Sequence, residues 1–397
     1  MTKEKKGFII DKEEDETMER IYLDHAATTP LDAEVLEKML PYFTENFGNA
    51  DSPHALGRKA MQAVDSARDS IAARIGAKPS EIYFTSGGTE SDNWALVGGA
   101  YAQKAKGRTR VVVSAVEHHA VLESAEKLKK EGFEIVYLPV NDGGRVALNA
   151  LETLIDDNTA IVALMAANNE TGVLQPISQA EKIAHEKGSL FFTDAVQFAP
   201  YRPLDIKTLN ADLLSFSSHK FFGPKGCGVL YIKSGVKIEK FTVGGEQERG
   251  LRGGTTNVPS VVGFAAAYER TCASMEARNA HLQALKTRFL QKLSMLDGVH
   301  INGEGEEALA AVLNVRFDGI RNEDFLFNMD LHGVCVAAGS ACASASIKPS
   351  HVLTAMGLSE TEARASIRFS FGKDNTLAEI DRAAEWTVET VKKLRKF

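Results

Sequence analysis

Several polar stretches of this 397-residue chain bring together side chains able to do covalent or proton chemistry. In SFSSHKFFGPKG (215–226), Lys220 stands beside His219, between an apolar strand pattern and a Gly-Pro turn. A lysine held there and desolvated is a nucleophile suited to Schiff-base chemistry, whereas one left in water is an ordinary surface lysine. In FTSGGTESDN (84–93), a strand pattern runs through Ser-Gly-Gly-Thr into a helix pattern. The glycines let backbone N–H groups turn inward, Thr89 offers a hydroxyl and the helix start adds partial positive charge, which suits a phosphate. A plain helix cap uses the same residue types. FTDAVQ (192–197) ends an apolar strand pattern on Asp194, where parallel sheets bind ligands. A carboxylate there would keep a pyridine nitrogen protonated and make the ring an electron sink, or would simply cap the next turn. EHHA (117–120) and AANNETG (166–172) close two more strand patterns and place His118 and Asn169 at corresponding ends.

AAGSACASAS (337–346) differs in kind. Its small residues cannot pack a core, so an exposed, mobile loop is predicted, with Cys342 a nucleophile and not a core filler. Cys335 in the apolar run GVCVAA, Cys227 between glycines and Cys272 in a helical pattern read as structural. The 4 cysteines form no CxxC pair and no disulfide framework, which predicts a reducing, cytoplasmic setting.

The elements that must position these residues follow an α/β rhythm. From EIYFT onward, the apolar runs RVVVSA, EIVYLPV, AIVALMA and LFFTDA alternate with helical patterns, which predicts a mostly parallel sheet covered by helices on both faces. After Asp212 the runs LLSFS and GVLYIK lie close together and predict antiparallel strands at one edge. A continuous helical pattern over 258–296 leads to AVLNVRF, GVCVAAG and ASIRFSF, strands separated by helices around 322–331 and 377–396. The predicted organisation is a mobile arm over 1–20, a large domain over 34–274, and a smaller α+β domain built from 21–33 and 275–397. The segment 31–47 is expected to pack near the smaller domain. A net charge of −7 argues against a nucleic-acid partner. No apolar stretch approaches the ~20 residues of a membrane span or forms a secretion signal. The first strand lacks a GxGxxG turn, which disfavours a nicotinamide-binding dehydrogenase.

The order of YLDHAATTP, FGN, FTSGGTESDN, EHHA, NNETG, DAVQ, SSHKFFGPKG, RGGTTN, GSACASAS and SIRFSFG carries more than any one of them. In that order the chain resembles, over 21–396, the cysteine desulfurases of the NifS/IscS type, within the class V aminotransferase group of fold-type I pyridoxal-phosphate enzymes. The resemblance implies a sulfurtransferase that converts L-cysteine to L-alanine. Sulfur would be carried on Cys342 as a persulfide and passed to an acceptor such as an iron–sulfur scaffold or a thiolation carrier. It assigns Lys220 to covalent attachment of pyridoxal 5′-phosphate, His118 to the ring face and to proton transfer, Asp194 to the ring nitrogen, and Asn169 and Gln197 to the ring hydroxyl side. Gly88, Thr89, Ser217 and His219 would hold the phosphate, joined by Thr255 from a neighbouring subunit, which implies a homodimer. Asn49 and Arg368 would hold the substrate carboxylate; a buried structural ion pair is the other use of such an arginine. The long stretch GSACASASIKPSHVL is similar to the group with an extended cysteine loop. Where many relatives have proline after the FGN asparagine, this chain has Ala50. Selenocysteine lyase or another class V aminotransferase-type reaction is the competing activity, and a non-catalytic scaffold is the competing class.

Overall fold

The computed structural model describes residues 20–339 and 349–396. The chain enters through β1 (Ile21–Tyr22) and then builds β2 (Ile82–Thr85), β3 (Arg110–Ser114), β4 (Glu134–Leu138), β5 (Thr159–Ala163), β6 (Leu190–Asp194), β7 (Leu213–Ser217) and β8 (Gly228–Ile232). The last seven of these form one sheet in the order β2-β8-β7-β6-β5-β3-β4. The run from β4 to β7 is parallel, while β8 lies antiparallel to both β7 and β2. Every residue of β5 and β7 is buried, because helices cover both faces and no solvent side is left to demand alternation. The edge strand β4 is only partly covered. The antiparallel pair expected after Asp212 is present, and the first apolar run, β2, is an edge strand that pairs with β8.

This topology sends the carboxyl ends of β3, β5, β6, β7 and β2 to one side of the sheet. Gly228 holds β2 and β7 together there, since it pairs with Thr85 on one flank and Ser217 on the other. A Cβ on Gly228 would lie 2.6 Å from the carbonyl carbon of Gly87, so only glycine lets the Gly-Gly turn settle over the strand ends.

The second region pairs β10 (Val312–Phe317) antiparallel with β9 (Val299–Ile301) and β12 (Ser366–Ser370), while β1 runs parallel to β11 (Val334–Cys335). Its core is aromatic: Phe289 packs on Phe369 and Phe371, and Phe325 on Phe317 and Phe369.

Two expectations change. The helical pattern over 258–296 is two helices, Val258–Ala273 and Met275–Leu293. Between them the Ser274 hydroxyl donates to Arg270 O and accepts from Arg278 Nη1, local bonding that competes with the helical ladder and turns the chain. The helix Ala33–Met39 packs on Val258–Ala273, and its Val35 and Met39 belong to the core beneath the large sheet. Gly263 admits Met39, whose sulfur would lie 2.5 Å from a Cβ at that position. Asp32 still reaches the second region through Lys373, at 3.6 Å.

Candidate active site

Lys220 ends a single 3-10 turn, Ser218–Lys220, directly after β7. The Ser218 hydroxyl donates to Cys227 O at 2.9 Å and also reaches Pro224 O, closing the Gly-Pro turn on itself. Phe222 takes the left-handed conformation (φ 64°) and its N–H donates to Thr29 Oγ1 at 2.8 Å. Phe221 and Phe216 meet Phe264 and Tyr268 at ring separations of 5.2–5.4 Å, which seats the turn on the helix Val258–Ala273. From this fixed base, Lys220 Nζ donates to Ala26 O at 2.6 Å and Ala27 O at 2.8 Å, inside the LDHAATTP segment.

Lys220 lines a cleft of about 230 Å³ shared with Ala26, Gly88, Thr89, Asp92, His118, Asn169, Asp194, Gln197, His219 and Arg368. Asp194 is buried at the end of β6 and accepts the Val196 N–H at 2.8 Å. Burial raises its pKa to about 6, against the pull of that hydrogen bond and of the Lys220 charge. Asp92 accepts from Ser215 Oγ at 2.5 Å, and burial followed by the nearby Asp194 pushes its carboxyl well above the usual range. Glu117 is raised for the same two reasons. Three buried carboxyls so close cannot all ionise, and Asp194 is the one facing an amine.

His118 caps the helix His119–Lys130, its Nδ1 accepting the Ala120 N–H at 3.2 Å. The proton of the neutral ring therefore sits on Nε2. Burial first, and then the Lys220 charge, lower its pKa to about 4. His219, 3.1 Å from Thr28 Oγ1 through Nδ1, is lowered to about 3 by the same two causes and Lys225. Gln197 Nε2 donates to Ala26 O at 2.8 Å.

In the same cleft, Gly88 begins a helical run whose first N–H groups have no intrahelical acceptor. A Cβ on Gly88 would stand 2.9 Å from Val196 and 3.7 Å from Ser217, so the cradle stays open only with glycine there. Two residues that sequence reasoning passed over brace it: Glu90 accepts the Ser86 N–H and takes a fork from Arg252 at 2.8 and 3.0 Å. Burial alone would raise the Glu90 carboxyl, but hydrogen bonds from Arg252 and Ser86 hold it below its ordinary value. Both residues lie inside quoted motifs, and their spacing carries no sign that they pair.

Arg368 is buried on β12, donating through Nη2 to Asp24 Oδ1 at 2.8 Å and through Nη1 to Asn169 O at 2.9 Å. Its Nε has no partner among the described residues. Arg368 is thus both a structural ion pair and a cleft wall, and Asp24 is a further residue that sequence reasoning missed.

Asn49 and Thr255 are not in the cleft. Both are exposed. Their loops are joined by Gln247, which donates to Asp51 Oδ2 at 2.6 Å and accepts the Gly254 N–H at 3.0 Å. Exposed apolar side chains lie on the same stretches, Phe43 and Phe47 before Asn49 and Val243 before Thr255. Cys342 lies outside the described residues. Of the other cysteines, Cys227 is buried and Cys272 and Cys335 are partly covered. Among the described residues no group of three side chains could hold a metal ion, and no helix is long and apolar enough to cross a membrane. A larger hollow, about 380 Å³, lies behind Phe221 and Phe222. It holds none of the predicted residues, and its cations are already engaged, Arg270 and Lys373 with Asp32, which lines the same hollow, and Arg278 with backbone carbonyls.

A family profile described as Aminotransferase class-V matches residues 21–383. A "Cysteine desulfurase IscS" of Methanosarcina thermophila is 46% identical over 377 residues, 95% of this chain and 93% of the relative. A "Putative cysteine desulfurase IscS 1" of Bacillus subtilis is 45% identical, covering 95% of this chain and all of its own length. A solved structure titled "NIFS-LIKE PROTEIN" superposes with a TM-score of 0.88 at 38% identity, covering 95% of this chain and 100% of its own.

Proposed function

Because the chain belongs to the aminotransferase class-V family, we propose that it is a cysteine desulfurase working with pyridoxal 5′-phosphate in the cleft around Lys220. The observation that carries this reading is the convergence of an amine, a carboxylate and an imidazole, Lys220, Asp194 and His118, with the Gly88 cradle in one cleft. The residues fit the cofactor. The helix start at Gly88, Thr89 and the neighbouring Ser217 and His219 suit a phosphate, and Asp194 at the carboxyl end of β6 suits a ring nitrogen. When bound, pyridoxal phosphate would supply an electron sink for charge left on the substrate Cα.

The side chains of the chain then divide the work. Lys220 Nζ would hold the cofactor through its aldehyde and, once free, would be the base for the Cα proton of L-cysteine. Asn169 and Gln197 orient the ring from its hydroxyl side. His118, neutral near pH 7 with its proton on Nε2, would offer that N–H to the cleft as a hydrogen-bond donor; to deliver a proton it would first have to take one up as imidazolium. Arg368 offers its fork to the substrate carboxylate, with Asp24 keeping it aligned. Cys342 Sγ, as thiolate, bonds to the substrate Sγ while the substrate Cβ–Sγ bond breaks. The electron pair stays with the carbon skeleton, which takes up one proton at Cβ, regains one at Cα and leaves as L-alanine. The persulfide on Cys342 passes its outer sulfur to an acceptor thiol.

Asn49 and Thr255 would enter from a second copy of the chain. Their exposed, Gln247-linked loops carry uncovered Phe47 and Val243, a surface suited to burial in a homodimer.

Borohydride reduction of the coloured protein tests the assignment of the cleft. A reduced cofactor adduct on the peptide containing Lys220 is expected, absent in Lys220→Ala; an adduct on another lysine would reject the assignment.

A further inference from the structure

Glu170, in the NNETG turn after β5, has no part in the scheme above. Yet it is 1% exposed, and a buried carboxylate persists only where hydrogen bonds offset its desolvation. The turn that carries it is rigid. Asn168 Oδ1 accepts the Glu170 and Thr171 N–H groups at 2.9 and 3.0 Å, Asn168 Nδ2 donates to Val116 O, and Asn314 Nδ2 donates to Glu170 O. Successive residues of one fixed turn therefore serve different places: Asn169 lines the cleft and Glu170 turns elsewhere.

What Glu170 meets is the pair of chain ends that flank Cys342 in sequence. Its Oε2 accepts the Ser350 hydroxyl at 2.5 Å. The same hydroxyl accepts the Leu353 N–H at 3.2 Å, capping the helix His351–Ala355, and His351 Nε2 lies 2.9 Å from Glu117 O. On the entry side, Ala337 exchanges backbone hydrogen bonds with Arg368 at 2.6 and 3.2 Å. Two residues later Gly339 has φ +124°, and a Cβ there would stand 3.2 Å from Glu170 Oε2. Gly339 is thus glycine for two reasons, its backbone conformation and the carboxylate against it.

We propose that Glu170 is a positioning residue for sulfur transfer, whose carboxylate anchors the Ser350 end of the segment bearing Cys342, and packs beside its Gly339 end, relative to Arg368 and Asn169. This rests on the reading of Cys342 as the sulfur-accepting nucleophile. A thiolate that must reach a substrate sulfur held by Arg368 gains from anchor points set on the same turn as the cleft wall. Misplacing such a group by about 1 Å can cost roughly a hundredfold in rate. Glu170 does not line the cleft, so its loss should slow the arrival of sulfur on Cys342 and leave the binding of L-cysteine alone.

The test uses the cofactor-loaded protein, with rapid quenching and intact mass to time sulfur loading and the visible absorbance change to measure L-cysteine binding. Glu170→Ala is expected to slow loading by roughly tenfold to a hundredfold, with the L-cysteine midpoint within about twofold of the parent. Glu170→Gln, which keeps an acceptor for the Ser350 hydroxyl, should recover most of the rate. Ser350→Ala should show a smaller loss of the same kind, and the double variant should be no slower than Glu170→Ala, because both break one interaction. In the cofactor-free protein, Glu170→Ala or Ser350→Ala should speed hydrogen exchange in the peptide containing Leu353. Parental loading in Glu170→Ala, or a cysteine midpoint that shifts as much as the rate, would overturn the inference. Should Glu170→Ala not fold, Ser350→Ala decides: parental loading overturns the inference, slowed loading with an unmoved midpoint supports it. Absence of sulfur on Cys342 in the parent protein would instead overturn the underlying reading, and this inference with it.

Discussion

The carboxyl edge of the large sheet and the exposed face bearing Asn49 and Thr255 hold their functional residues in opposite ways. At the sheet edge each side chain is fixed within the chain: Lys220 by Ala26 and Ala27, Asp194 by Val196, Arg368 by Asp24 and Asn169. On the exposed face the two loops are tied to one another through Gln247 and carry uncovered Phe47 and Val243. The difference matches the proposed division between chemistry organised within one chain and the contacts of Asn49 and Thr255 supplied by a second copy.

Substitutions on the two sides should therefore fail differently. The largest effect belongs to the edge. Asp194→Asn removes the charge that opposes Lys220 and should lower kcat by roughly a hundredfold or more, with the oligomeric state on sizing unchanged; near-parental turnover would break the distinction. The converse substitution, Phe47→Asp, places a charge on the uncovered face. It should yield a smaller species by light scattering that still takes up cofactor but turns over roughly tenfold more slowly. A monomer with full activity would remove the need for the second copy.

The smallest effect is on pH. Burial lowers His25 and His118 from the ordinary value of 6.5 to about 4 and His219 to about 3. The unfolded chain therefore binds protons that the folded one refuses below 6.5, and stability is lost as pH falls from about 6.5 towards 4. Asp194, raised to about 6 by burial, works with the opposite sign, its contribution present below the ordinary carboxylate range and lost as pH rises through about 6. Asp92 and Glu117, also raised by burial, share its sign, so the melting temperature of the cofactor-free protein carries opposing contributions across that window, and removing one histidine reads out its own share. His25→Gln, at a ring packed against Gly372, should make the melting temperature less sensitive to acid than in the parent, by a few degrees at most; an unchanged sensitivity would show that His25 carries none of it.

Much of the edge was legible in the sequence because fully buried parallel strands leave long apolar runs ending in polar residues. Asp194, His118, Asn169 and Lys220 each stand just after such a run. Other features depend on partners far along the chain. Ser350, which satisfies Glu170, is separated from it by 180 residues, and nothing near Glu90 signals the Arg252 fork. The helix break at Ser274 rests on one hydroxyl, and the seating of Ala33–Met39 rests on the space at Gly263. Asn49 and Thr255 were recognisable from their motifs, and the resemblance assigned Thr255 to a neighbouring subunit while leaving open which copy supplies Asn49.

The central claim is that chemistry organised at the sheet edge delivers sulfur to one cysteine. Intact and peptide mass spectrometry of the cofactor-loaded protein, exposed to L-cysteine without reductant, measures this directly. A single added sulfur on the peptide containing Cys342, absent in Cys342→Ala and formed together with L-alanine, is the predicted result. Sulfur on Cys227, Cys272 or Cys335 instead, or L-alanine formed at the parental rate by Cys342→Ala, would contradict it.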